Sequence, residues 1–189
     1  RSYKKQIFSE GFANTLKENQ NIDTIGLISC GFSIGENNSF CKTIETIAKN
    51  EKITDLDLSS NFLDSEQCMA LTNLLRETKT LRSLNLYSNG VMNRGLLLLS
   101  IGLVENKSLE NLNLGRNSLG DEAVITLSKS LSLSNSLRKL YLNKNIIREE
   151  GYKAISLFLK KTKTLEVLHL SENAGISKES CKSLSEALE

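Results

Sequence analysis

Polar and apolar positions recur along this chain in one fixed order. Over residues 109–119 it is L-x-x-L-x-L-x-x-N-x-L, with Asn117 as the asparagine. Leu112 and Leu114 alternate with polar neighbours, which predicts a short strand with both leucines on one face. Asn117 then turns the chain, and its amide offers a donor and an acceptor to backbone groups that a turn leaves unpaired. The same register returns at Ile53, Leu56, Leu58, Asn61, Leu63, at Leu81, Leu84, Leu86, Asn89, Val91, and at Leu137, Leu140, Leu142, Asn145, Ile147. A sixth copy has Leu165, Leu168, Leu170 and Asn173, with Gly175 extra and Ile176 one residue late. A degenerate first copy has Ile22, Ile25 and Leu27, with Cys30 where Asn would stand. From Leu56 to Leu84, Leu112, Leu140 and Leu168 each step is 28 residues; the step from Ile25 to Leu56 is 31, with an insertion around Gly35, Glu36, Asn37 and Asn38. A fixed period with fixed internal register marks a solenoid.

Between the strands lies a second pattern. Leu71 and Leu75, Leu99 and Leu103, Leu127 and Leu131, Ile155 and Leu159, and Leu184 and Leu188 are each four apart, which predicts one buried face on a helix. Residues 1–20 read as the helical half of a repeat, with Phe8, Phe12 and Leu16 facing inward. Asp64, Gly120-Asp121-Glu122 and Ser177 stand where helices should start, where a side chain can cap free N–H groups and acids suit the positive helix end. The polar runs at 77–80, 105–108 and 161–164 read as solvated loops. Each unit is then one strand and one helix. Parallel strands stack about 4.8 Å apart but helices need about 8–10 Å, so the sheet takes the inside of a curve.

This repeat resembles the ribonuclease-inhibitor-like class of leucine-rich repeat, whose LxxLxLxxN strand alternates with a full α-helix. The resemblance runs from about Ile22 to the C-terminus. It implies an α/β leucine-rich-repeat solenoid, a horseshoe arc with a parallel concave sheet and convex α-helices. The whole chain, 1–189, reads as a single array of about six strand–helix repeats. It begins and ends inside a half-repeat, so it is expected to be a fragment of a longer protein. The family includes enzyme inhibitors, innate-immune sensor domains, actin-capping proteins and activators of small GTPases, so a scaffold of this kind implies protein binding and leaves the partner open.

Composition narrows the function. The net charge is +2 with charges interspersed, which gives no basic stripe for nucleic acid. No apolar run approaches the roughly 20 residues that span a bilayer. Four cysteines, Cys30, Cys41, Cys68 and Cys181, read as small buried thiols in a reducing compartment, which predicts a cytoplasmic protein. The Lys-, Asn- and Ile-rich composition also resembles effector proteins of intracellular bacteria, for which the compartment would be the host cytosol. Asn37-Asn38-Ser39 and Asn106-Lys107-Ser108 match the glycosylation triplet by chance on this reading.

Candidate chemistry is thin. His169, the one histidine, lies between Leu168 and Leu170 and so points out of the concave sheet, with no Cys or metal-ligand spacing around it. Asp55 and Asp57 share the exposed strand face, but acid–base work needs a pocket and a raised pKa. No phosphate-loop motif occurs. The chain is therefore expected to be no enzyme and to need no cofactor or metal. What remains is the exposed strand face: Asp55, Asp57, Asn85, Tyr87, Asn113, Arg116, Lys139, Tyr141, Lys144 and His169. It runs from acidic to basic and aromatic, and Tyr and Arg most often carry interface energy. A merely solvated face would be just as polar; binding is favoured because parallel sheets are seldom left open to water. The expectation is a module that holds a folded protein on its concave sheet, as an inhibitor, sensor or effector, with no nucleic acid and no membrane as partner. The alternative is a GTPase-activating leucine-rich-repeat protein, with Arg116 and Asn113 over a partner's phosphates, or a recognition domain attached to a catalytic domain elsewhere.

Overall fold

The computed structural model describes residues 10–19, 21–32 and 37–188. Phe8 and the insertion residues Gly35 and Glu36 lie outside them. Helices and strands alternate as α1 (Glu10–Glu18), β1 (Thr24–Gly26), α2 (Asn37–Lys49), β2 (Asp55–Asp57), α3 (Ser65–Glu77), β3 (Ser83–Asn85), α4 (Met92–Glu105), β4 (Asn111–Asn113), α5 (Asp121–Leu131), β5 (Lys139–Tyr141), α6 (Glu149–Leu159), β6 (Val167–His169) and α7 (Lys178–Ser185). The six strands form one parallel sheet in chain order. Ile25, Leu56, Leu84, Leu112, Leu140 and Leu168 pair in register, as the period requires. Leu58, Leu86, Leu114 and Leu142 are fully buried behind them.

The strand-to-helix turn is built on the asparagines. Each reaches back one repeat. Asn117 Nδ2 donates to the Leu86 carbonyl at 2.8 Å, while its Oδ1 accepts from the N–H groups of Asn89 and Val91 at 3.0 and 3.1 Å. Asn145 does the same for Leu114, Asn117 and Leu119. The turn also forces one residue per repeat into left-handed backbone: Ser29, Ser60, Ser88, Arg116, Lys144 and Glu172 have φ between 52° and 60°. That conformation lets the N–H of Ser60, Ser88, Arg116 and Lys144 each donate to the next repeat at 2.9 Å, extending the ladder past the strand. Phe62 and Met92 are also left-handed, and Phe62 is 80% exposed.

The polar runs after the helices are solvated only in part: Lys79, Lys107, Lys161 and Lys163 are exposed, as the sequence reading has it, but 77–80 and 105–108 also turn side chains inward. Asn50, Thr78, Asn106 and Ser134 are buried, one per repeat. Asn106 Oδ1 accepts from the N–H groups of Ser108 and Leu109, and its Nδ2 donates to the Leu75 carbonyl at 2.7 Å. Asn50 and Thr78 accept from Ile53 and Leu81 in the same way. The chain must reverse from helix to strand against the previous repeat, so backbone groups there are buried and need partners.

Helix starts follow the sequence at Asp64, which forms a reciprocal capping box with Gln67, and at Ser177, whose hydroxyl accepts from the Ser180 N–H. At α5, Gly120 is the cap residue and Asp121 turns to accept from the Arg148 N–H instead.

Two expectations fail at the C-terminal end. Leu188 lies beyond α7 and is 75% exposed, and Ile176 is also exposed. Leu165, Leu168, Leu170 and Asn173 are half-buried, whereas their counterparts in earlier repeats are buried. Among the described residues no strand lies beyond β6 to cover them. Cys181 is exposed for the same reason, while Cys30 and Cys41 are half-buried, so only Cys68 fits the reading of a buried thiol.

Where α4 packs tightly on α3 the chain uses Gly102. A Cβ there would sit 2.7 Å from the Thr72 carbonyl oxygen and 2.9 Å from the Leu75 Cβ. Ala normally stabilises a helix by about 1 kcal/mol over Gly. Here the clash is with backbone, so Gly102→Ala should destabilise by about 1–3 kcal/mol, the usual cost of overpacking. A urea melt checks the sign; a gain in stability would mean that α3 and α4 can move apart freely.

Candidate protein-binding face

The concave face is lined by the outward residues of the six strands. At its centre, from β1 to β6, stand Gly26, Asp57, Asn85, Asn113, Tyr141 and His169, aligned by the strand register. Three of them turn back on their own chain. Asp57 Oδ1 accepts from the Ser59 N–H at 2.8 Å, Asn85 Oδ1 from Tyr87 at 3.0 Å and Asn113 Oδ1 from Gly115 at 3.0 Å. A short polar side chain bonding the N–H two residues on stabilises a turn. Asp57 also accepts from Asn85 Nδ2 at 2.8 Å. Position alone did not reveal this second role for Asp57, Asn85 and Asn113; the i to i+2 spacing ahead of a turn is the signal that could have done so.

At β5 and β6 the series stops. The Tyr141 hydroxyl is too far from its own backbone for that local bond, and His169 does not make it. Tyr141 and His169 stack on each other instead, ring centroids 5.0 Å apart and planes 29° from parallel. Stacked aromatic pairs add to area burial and form a flat, stiff platform. Beside it, Ser83, Asn85, Asn111, Asn113, Lys139 and Tyr141 line a shallow depression across β3, β4 and β5. Asp55 lies at the other end of the sheet, where Thr54 donates to its carboxylate at 2.7 Å.

Tyr87, Arg116 and Lys144 lie past the strand ends. Tyr87 lies toward Gly115, where a Cβ would come 2.9 Å from the tyrosine ring, so the missing side chain makes room for it. Arg116 and Lys144 occupy the left-handed positions at the strand ends and are exposed. Lys144 pairs with Glu172 at 3.4 Å. Arg116 and Lys139 have no carboxylate within ion-pair distance among the described residues and keep an unpaired positive charge on this side. The ten residues therefore share one side of the array but divide into Asp55 and Lys139 at the strand starts, a central row of Asp57, Asn85, Asn113, Tyr141 and His169, and Tyr87, Arg116 and Lys144 past the strand ends.

Among the described residues no three His, Cys, Asp or Glu side chains converge as a metal site would require. Burial pushes the Cys68 thiol up to about 12, with the Asp64 carboxylate adding to the shift, so it carries no thiolate near neutral pH. No helix among the described residues is long and apolar enough to cross a membrane.

A charged ladder runs along the opposite ends of the strands. Arg82 pairs with Glu110, Glu110 with Arg138 and Arg138 with Glu166, each one repeat from the next. These side chains are half-exposed, so each pair contributes at most a few tenths of a kcal/mol.

Comparison with known proteins agrees with the geometry. A family profile described as Leucine Rich repeat matches residues 105–128 and 162–185. No curated protein matches the chain by sequence. Among solved structures, leiomodin-1 Actin-Binding Site 2 (ABS2) is similar at TM-score 0.59 and 17% identity, covering 95% of this chain and 88% of that one. The tropomodulin C-terminal domain of Caenorhabditis elegans is similar at TM-score 0.55 and 16% identity, covering 95% and 90%. With its constant period, parallel sheet and paired turn ladders, this chain is a leucine-rich-repeat solenoid of the ribonuclease-inhibitor-like fold.

Proposed function

We propose that the chain is a protein-binding module that holds a folded partner against its concave sheet, centred on Tyr141 and His169. The observation that carries this reading is the stacked pair itself. Strands β2, β3 and β4 spend their central side chain on a turn, whereas these two present rings to solvent. A large ring with little rotamer freedom to lose is a common interface anchor. Lys139 and Arg116 would select an acidic surface and speed encounter, an effect that salt weakens. Occupying a partner's surface in this way gives inhibition or sensing without catalysis.

Purified actin is the first partner to try, because the leiomodin-1 domain is described as an actin-binding site. Proteins captured from a lysate follow. Against whichever binds, Tyr141→Ala should weaken affinity by roughly 30-fold, about 2 kcal/mol at a hot spot. Arg116→Ala should slow association at low salt, and Lys107→Ala, in the loop after α4, should be silent. Titration calorimetry and stopped-flow measure both. Equal affinity for all three variants would place the interface off the sheet.

A further inference from the structure

The convex side carries a groove that the fold does not require. It runs between α5 and α6, with Ile125, Ala154, Leu133 and Leu157 as its apolar lining. Leu133 is 62% and Leu157 63% exposed. The core faces of these two helices are already supplied by Leu127, Leu131, Ile155 and Phe158, all buried. Leu157 therefore adds nothing to the solenoid core, and leaving two leucines on one groove in water has a solvation cost.

The charges around it are mostly of one sign. Lys129, Lys153 and Lys161 border the groove, against Glu150 alone. Lys153 is taken up by Glu150 at 3.0 Å and Glu149 at 3.9 Å. Lys129 and Lys161 have no carboxylate within ion-pair distance among the described residues, and they flank the leucines.

We propose that this groove docks a helix of a protein partner, apolar along one face and acidic on its flanks. The helical form follows from the walls. Both are α-helices, whose backbone groups are used internally, so an extended peptide would find no partners for its N–H and C=O groups. A helix brings its own bonds satisfied and can lay a ridge of side chains between two helices. Along α6, from Glu150 to Leu157, the groove wall runs roughly 10 Å at 1.5 Å per residue, the span of anchors at i, i+4 and i+7. The acidic flanks follow from Lys129 and Lys161.

The test uses the 189-residue chain and a synthetic helical peptide of about four turns, with Leu at the anchor positions and Glu on both flanks. A twin carries Lys in place of Glu. Fluorescence anisotropy should show micromolar binding of the acidic peptide and none of the basic one. Leu157→Ser and Leu133→Ser should each weaken binding at least tenfold; both sites are exposed, and thermal melts verify that the fold is kept. Lys129→Glu with Lys161→Glu should reverse the preference between the twins, and added salt should weaken the acidic peptide. Tyr141→Ala should change nothing, which separates this site from the concave face. Absence of binding, equal binding of the twins, or undiminished binding to Leu157→Ser would overturn the proposal. So would sedimentation showing that the chain self-associates and that Leu157→Ser makes it monomeric, since the occupant would then be a second copy.

Discussion

Leu114→Ala should lower the unfolding free energy by about 2–5 kcal/mol, the range for a fully buried leucine. Leu114 has no exposed surface and stands between Leu86 and Leu142 at mid-array. Its side chain fills the layer between sheet and helices, and backbone bonds on both sides limit collapse: the Leu114 N–H donates to Tyr141 and its carbonyl accepts from Asn145. In a solenoid each repeat touches only its neighbours, so damage at the centre also weakens coupling between the two ends. Urea unfolding should show a lower midpoint and a shallower slope as the ends begin to melt separately. Leu170→Ala, at the half-buried counterpart, should cost less. A loss under about 1 kcal/mol for Leu114→Ala would contradict the burial on which this reading rests.

The second large effect concerns Asn117, which is likewise fully buried. Asn117→Leu keeps a similar volume but removes every side-chain bond. The Leu86 carbonyl and the N–H groups of Asn89 and Val91 lose the partner Asn117 supplies. An unsatisfied buried polar group costs about 1–3 kcal/mol, so the total should be about 3 kcal/mol or more. All three groups belong to the preceding repeat, so the substitution should loosen a junction and not a single unit. Hydrogen exchange of Asn89 and Val91 should accelerate well beyond that of strand amides elsewhere. Exchange as slow as in the parent would mean that water or a rearranged turn replaces the amide.

Both substitutions act on features that the period makes visible. A 28-residue step repeats each side chain's environment, so Leu58 to Leu142 and Asn61 to Asn145 could be placed from spacing alone. The helix-to-strand turn was harder. Asn50, Thr78, Asn106 and Ser134 are as periodic as the other ladder, but three residue types share the position. At Asn50, Thr78 and Asn106 amide and hydroxyl accept from the same N–H groups while the letter changes, and the Ser134 hydroxyl bonds that of Ser136 instead. The left-handed residues escaped for a related reason: Ser, Arg, Lys and Glu carry no sign of φ, which is set by the need to reach the next repeat. At the C-terminal end Leu184 and Leu188 match the pattern perfectly, yet burial needs a neighbour, and pattern alone does not supply one. On the concave face, sequence located the outward positions but could not separate Asp57, Asn85 and Asn113, bonded to their own turns, from Tyr141 and His169, which stack. Only distances make that distinction.

The charged ladder gives the array a parity. Arg82, Glu110, Arg138 and Glu166 alternate in sign at one repeat per step. Removing the single repeat that carries Glu110 would set Arg82 against Arg138, and removing the one with Arg138 would set Glu110 against Glu166. Like charges directly opposite on neighbouring strands repel. Removing both repeats together leaves Arg82 facing Glu166, opposite signs again. The strand leucines and turn asparagines are blind to this, because they are the same from the second repeat to the sixth and allow the array to shrink there by any whole number. A duplication or deletion that respects the core therefore meets a second rule at the surface, weak for any one junction, that favours change in steps of two.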